Sequence, residues 1–269
     1  MGTGEVRLDG VTAAGVATLV IDNPGKRNAL TAGMWAGVAP LLDRLAADAS
    51  ITVLVVRGAG SDFSAGADIA DLDTILGSGP HGADASGGVM TAAENALAAF
   101  PKPTIAAIDG YCVGGGWELA GACDLRICSE RSTFGITPSR LGIVYPLSGL
   151  ERVVALVGPA IAKHLLFTGE LVDAETAREW GLVTRVLPTE GFWDAVGGFA
   201  TSLAGRSQYS IQAMKELVDA IAAGRGDAEA IVDRWLTTAS EDRSIGVEAF
   251  LGKRPPEFTW RSDSGSGSQ

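Results

Sequence analysis

The chain has 269 residues, 46% hydrophobic and 20% charged, enough apolar material for the core of one large α/β domain. Its net charge of -11 repels phosphate backbones, which argues against nucleic acid as a partner. No stretch approaches 18 uninterrupted apolar residues and the opening MGTGEVRLDG lacks an apolar run, so neither a membrane span nor a signal peptide is expected.

In chain order, residues 16–21 (VATLVI) form a short apolar strand that ends in the turn Asp22-Asn23-Pro24-Gly25. Thr31 caps an amphipathic helix to about Ala47, with Met34, Val38, Leu41, Leu42 and Leu45 at helical spacing. Residues 51–56 (ITVLVV) read as a strand buried on both faces, as in a parallel sheet. A loop over 58–68 and a Gly/Ser-rich segment over 76–88 precede a helix at 89–100, closed by Pro101 and Pro103. The pattern then repeats as a strand at 104–108, a glycine-rich turn at 109–116, a helix from Trp117 and a strand at 124–128. Beyond Phe134 the spacing predicts helices at 150–157, 159–167, 174–180, 191–203, 211–223 and 228–238. The organisation is thus β/α first and nearly all helical afterwards. Cys112, Cys123 and Cys128 form no CxxC pair and read as small core residues of a reduced, cytoplasmic protein. The final SDSGSGSQ is low-complexity and expected to be disordered.

Two segments stand out for chemistry: Phe63-Ser64-Ala65-Gly66-Ala67-Asp68-Ile69 and Gly110-Tyr111-Cys112-Val113-Gly114-Gly115-Gly116-Trp117-Glu118-Leu119. Each follows a buried strand and precedes a helix, where small residues leave backbone N–H groups bare. Two such groups converging on one oxygen make an oxyanion hole. The alternative for either loop alone is that its glycines only permit tight strand–helix packing. The run Val55-Val56-Arg57-Gly58-Ala59-Gly60 lacks the third glycine of a dinucleotide fingerprint. His81 and His164 have no triad partners, and no metal-ligand cluster is evident.

Together with Asn23-Pro24-Gly25-Lys26-Arg27-Asn28-Ala29-Leu30, these segments resemble, in order and spacing, the marks of the crotonase (enoyl-CoA hydratase/isomerase) superfamily. Cys123-Asp124-Leu125-Arg126-Ile127 and Thr168-Gly169-Glu170 extend the resemblance, which runs from about Val16 to Lys253. It implies an α/β crotonase-like fold: a ββα superhelical core over residues 1–200, a C-terminal helical trimerisation region over 201–260, and a tail over 261–269. It also implies an acyl-CoA substrate, no cofactor beyond the CoA of that substrate, no metal, and a homotrimer or homohexamer.

By the same resemblance, the backbone N–H groups of Ala67 and Gly115 would be the oxyanion donors. Lys26, Arg27, Ala29, Ala65, Asp68 and Ile69 would run along the CoA, with Gly114 and Thr137 beside the acyl group. Lys26 and Arg27 read equally well as solvated charges on a turn. Phe250 and Lys253 would reach the CoA of a neighbouring subunit, and residues 71–88 would form a flexible wall of the acyl pocket. Glu118, three residues after Gly115, matches a family catalytic glutamate and would be the general acid/base. Its structural alternative is an acid complementing a helix N-terminal dipole.

The chain departs from the family at Pro138, which stands where hydratases place a second glutamate; no carboxylate lies between Arg131 and Leu150. The segment from Thr137 to Tyr145 instead resembles that of methylmalonyl-CoA decarboxylases, with Tyr145 at the acyl end. That decarboxylase family carries histidine where this chain has Ala67. Three functions follow: a hydratase/isomerase-type enzyme, a decarboxylase of a malonyl-type thioester, or a non-catalytic CoA-binding scaffold. Glu118 beside intact glycine loops argues against the scaffold.

Overall fold

The sheet is built from alternation in strands that are buried on both faces. In the computed structural model, which describes residues 4–77 and 88–262, the chain begins with β1 (Glu5–Val11) and β2 (Val16–Asp22), then α1 (Ala32–Ala47) and β3 (Val53–Gly58). A short turn leads to α2 (Leu72–Leu76), α3 (Gly88–Ala98), β4 (Thr104–Ile108), β5 (Tyr111–Val113), α4 (Gly115–Ala122), β6 (Leu125–Ser129) and β7 (Thr133–Gly135). There follow α5 (Pro138–Leu141), α6 (Leu147–Thr168), β8 (Leu171–Asp173), α7 (Ala174–Glu179) and β9 (Arg185–Leu187). The chain closes with α8 (Phe192–Ala204), α9 (Gln208–Ala222), α10 (Ala228–Thr237) and α11 (Asp242–Leu251).

The main sheet has six strands in the order β1-β2-β3-β4-β6-β9, antiparallel at β1·β2 and parallel from β2 onwards. Val53 and Val55 face α8 through Phe192, Val196 and Ala200, whereas Leu54 and Val56 face the larger core of α1, α3 and α4. This period-2 division explains why 51–56 reads as an unbroken apolar run. A second sheet, β5-β7-β8, joins the first loop through the Ser64↔Cys112 bridge.

Thr31 caps α1 as expected, its hydroxyl accepting from Met34 N at 3.3 Å. The buried Lys102 seals the other end, donating to the carbonyls of Leu45 (3.3 Å) and Asp48 (2.6 Å). The helices expected at 150–157 and 159–167 form one run broken at Gly158, where φ 73° and ψ 167° are non-helical.

Two expectations need correction. The turn at 109–116 contains β5, and the second half is not all helical, since β8 and β9 lie in it and β9 extends the main sheet. The edge strand β1, the short strand β7 and the last helix, α11, were not anticipated. The expected pocket wall over 71–88 is described at 71–77 and 88; 78–87, with the disordered tail expected from 263 on, lie outside the described residues.

Candidate active site

Residues 27–30 and 64–68 are stitched together by backbone: Ala65 N donates to Arg27 O (2.9 Å), Leu30 N to Gly66 O (2.8 Å) and Asp68 N to Leu30 O (2.8 Å). Ser64 Oγ donates to Asn28 O at 2.8 Å and accepts from Gly66 N at 3.1 Å. Asn28, at φ 57° and buried, holds the turn by donating to Ala59 O (2.8 Å) and Asp62 O (2.7 Å) and accepting from Asn23 N (3.1 Å). The second loop docks on the first, with Ser64 N to Tyr111 O at 2.8 Å and Val113 N to Ser64 O at 3.0 Å.

Ala67 and Gly115 each follow a glycine with positive φ. Gly66 sits at φ 113°, and Gly114 at φ 52°, ψ -117°, a region open essentially to glycine alone. These turns leave the next N–H pointing away from the chain, and among the described residues neither Ala67 N–H nor Gly115 N–H has an acceptor. The two segments touch: a Cβ on Gly115 would lie 3.0 Å from Ala67 N and 2.9 Å from the Trp35 ring. Glycine at 115 is therefore required by close approach as well as by helix initiation.

Both N–H groups border a cavity of about 80 Å³. Its wall is apolar, formed by Ile69, Leu72, Leu76, Met90, Pro138, Leu141 and Ile143; Ala65, Gly66 and Gly114 complete the hole side, and Thr137 and Tyr145 supply the polar side chains. Pro138 opens α5, so the position that would carry a second glutamate presents a ring to this cavity. Tyr145 is buried, and its hydroxyl donates to Gly114 O at 2.9 Å, the carbonyl one residue before Gly115.

Glu118 lies on the first turn of α4, but its carboxyl is behind the cavity wall rather than in its lining. It is 2% exposed and packs against a notch in α6, where a Cβ on Gly149 would come within 2.3 and 2.4 Å of its two oxygens. Among the described residues, Oε1 has no hydrogen-bond partner. Burial pushes the Glu118 carboxyl well above the ordinary range, the neighbouring Glu94 adds to this, and the Tyr145 hydroxyl and Arg152 oppose it. Burial likewise raises the Tyr145 phenol, with Glu118 contributing.

Glu94 on α3 was not anticipated. Fully buried, it accepts from Ser148 Oγ at 2.5 Å and from Arg152 Nη1 at 2.9 Å. It shares a core-facing stripe with Met90, Ala93 and Leu97, the i, i+3, i+4, i+7 positions of that helix. A carboxylate on such a stripe is the signal that sequence could have offered.

Of the residues expected along CoA, Lys26 is paired with Asp68 at 2.5 Å, which raises the lysine and lowers the carboxyl, each through the hydrogen bond first. Arg27 stacks over the Tyr111 ring at 4.7 Å. Ala65 and Ile69 are exposed, and Ala29 is half-buried. Phe250, 83% exposed, and Lys253 stand at the end of α11, outside the cavity lining of their own chain. The three cysteines are buried and free. Among the described residues, no helix is long and apolar enough to cross a membrane.

A parallel sheet carrying two glycine-hinged loops whose paired N–H groups meet at an apolar cavity defines a crotonase-fold protein. The chain belongs to the enoyl-CoA hydratase/isomerase family, whose sequence profile matches residues 11–261. It is 32% identical to the 2,3-dehydroadipyl-CoA hydratase of Escherichia coli, over 91% of this chain and 96% of that protein. Identity to the crotonyl-CoA hydratase of Syntrophomonas wolfei is 30%, over 90% and 94%. The crystal structure of an enoyl-CoA hydratase/isomerase family member superposes with a TM-score of 0.89 at 41% identity, covering 97% of this chain and 98% of that one.

Proposed function

We propose that the protein is an acyl-CoA enzyme of the hydratase/isomerase type that holds a thioester enolate between the N–H groups of Ala67 and Gly115. The observation that carries this reading is the pair of N–H groups without acceptors, set against each other at the mouth of an apolar cavity. Two fixed donors favour the enolate over the neutral thioester because they are aimed before charge develops and need no reorganisation. The relatives named as enoyl-CoA hydratases support the acyl-CoA substrate class.

Proton transfer falls to Glu118, through Tyr145. The tyrosine hydroxyl lines the cavity and neighbours Glu118, so by turning from the Gly114 carbonyl it can pass a proton between the buried carboxyl and the substrate carbon. Such a step breaks the phenolic O–H as the enolate C=C pair forms the new C–H bond. The Glu118 proton then restores the phenol.

One observation favours a second reading. Pro138 and an otherwise apolar wall leave no carboxylate among the described lining residues to activate water. Decarboxylation of a malonyl-type thioester needs none: the C–C bond pair becomes the enolate, CO₂ leaves, and one proton is returned to the α carbon.

Turnover of an enoyl-CoA and of a malonyl-type CoA, following water addition and CO₂ release separately, tests both. Under the hydratase/isomerase reading, Glu118→Gln and Tyr145→Phe each interrupt the relay and lower enoyl-CoA turnover by about 10²–10⁴-fold. CO₂ release that survives Glu118→Gln and collapses in Tyr145→Phe would replace the first reading with the second. Wild-type inactivity on every thioester would overturn both.

A further inference from the structure

The fold buries a second carboxylate that the proposed chemistry leaves without a part. Glu94 is 0% and Glu118 is 2% exposed, and the two come from α3 and α4, which pack side by side. Both Glu94 oxygens are taken, Oε1 by the Ser148 hydroxyl at 2.5 Å and Oε2 by the Arg152 guanidinium at 2.9 Å. Two donors on two oxygens is the pattern of a carboxylate acting as acceptor only. Glu118 has the opposite surroundings: no donor reaches Oε1, and the α6 backbone at Gly149 presses against both oxygens.

Charge counting leads to the same division. The groups facing the pair are Arg152 and Ser148 from α6, and Tyr145 from the loop before it; Cys112 of β5 adjoins the tyrosine and is held as a thiol by burial. Arg152 is the one cation in that set. Two ionised carboxylates would leave an uncompensated negative charge in the interior, whereas one proton on the pair makes the cluster neutral.

We propose that Glu94 and Glu118 hold a single proton between them, that it resides on Glu118, and that Glu94 is the positioning residue that keeps it there. Burial of Glu118 and the neighbouring Glu94 both push in this direction. The inference builds on the reading of Glu118 as the proton-transfer group and adds that it enters the reaction as the acid. Ser148 and Arg152 also line a groove of about 860 Å³ among α3, α6, α9 and α10. After Glu118 gives up its proton, the carboxylate left behind regains one, either the proton released by the water that adds to the substrate or a solvated proton from bulk. One proton leaves per enolate protonated and one returns.

The test uses the full chain labelled with ¹³C at the glutamate side-chain carboxyl, titrated by NMR without substrate. The Glu118 signal is identified by its loss in Glu118→Gln. In the wild type Glu118 stays protonated at pH 7, and in Glu94→Gln its midpoint falls by at least about one pH unit as the neighbouring charge disappears. A Glu118 signal already ionised at pH 7 in the wild type, or an unmoved midpoint in Glu94→Gln, would overturn the proposal. Should Glu94→Gln fail to fold, Ser148→Ala serves: loss of a donor makes Glu94 the better proton acceptor, so the Glu118 signal at pH 7 moves toward the ionised position. A stationary signal there counts equally against the shared proton. Because no thioester is involved, an inactive enzyme with a titrating pair would sink the functional reading alone, and an active enzyme without one would sink the pair alone.

Discussion

The hinged loops and the carboxyl cluster lie on either side of the Gly114 carbonyl, and they hold their chemistry by different means. On the loop side the presented groups are main chain: Gly66 and Gly114 turn the backbone, the Ser64 and Asn28 side chains brace it, and Ala67 and Gly115 present N–H groups. Behind Tyr145 everything is side chain: Glu94, Glu118, Ser148 and Arg152 converge from α3, α4 and α6. Backbone dipoles are fixed by the fold and insensitive to pH. Buried carboxyls are costly, coupled and able to move protons. Under the proposed function, charge stabilisation falls to the first region and proton traffic to the second.

The loop side should break most sharply. Gly115→Ala places a methyl 2.9 Å from Trp35 Cζ2 and 3.0 Å from Ala67 N, where neither can retreat without opening the pair. With folding verified by circular dichroism, kcat/KM on the accepted thioester is expected to fall at least about 10²-fold, the usual cost of one such donor. Turnover at the wild-type level would show that the two N–H groups do not act together.

The cluster side should also show an effect on stability, one that changes with pH. Because the folded-state value of Glu118 is raised, the native protein binds its proton more tightly than the unfolded chain does. Stability is therefore lost as pH rises from the ordinary carboxylate value, about 4.3, through the raised one. Glu118→Gln removes that loss, since an amide cannot ionise. Thermal melts should find the variant more stable than the wild type by a few degrees, on the order of 2–4 °C, at pH 8 and less so at pH 5. A difference that does not change with pH would mean that Glu118 does not titrate as its surroundings imply.

The two regions also differ in how plainly the sequence announces them. The loops are local: consecutive small residues at a strand–helix junction mark both segments, the family resemblance singles out Ala67 and Gly115 within them, and the Thr31 cap and the Gly158 break are equally local. The cluster is not, because positions 94, 118, 145, 148 and 152 meet only after α3, α4 and α6 have packed. Glu94 carried a sign in its own helix, a carboxylate in register with Met90 and Leu97, which the apolar character of 89–100 obscured. Gly149 carried none, for a helix interior gives no reason for a glycine until Glu118 fills the space. The missed strands β5, β7, β8 and β9 have three residues each, too few for alternation to register.

We infer that an enolate held by Ala67 and Gly115 receives its proton from one side, through Tyr145 from Glu118. Turnover of the accepted thioester in D₂O, with ²H NMR of the product's α carbon, tests it directly. One deuterium on a single face is expected with the wild type. In Glu118→Gln the rate is expected to fall by at least about 10²-fold, with the two faces scrambled in the residual product as water protonates the enolate unaided. Deuterium still delivered to one face at the wild-type rate by Glu118→Gln would contradict it.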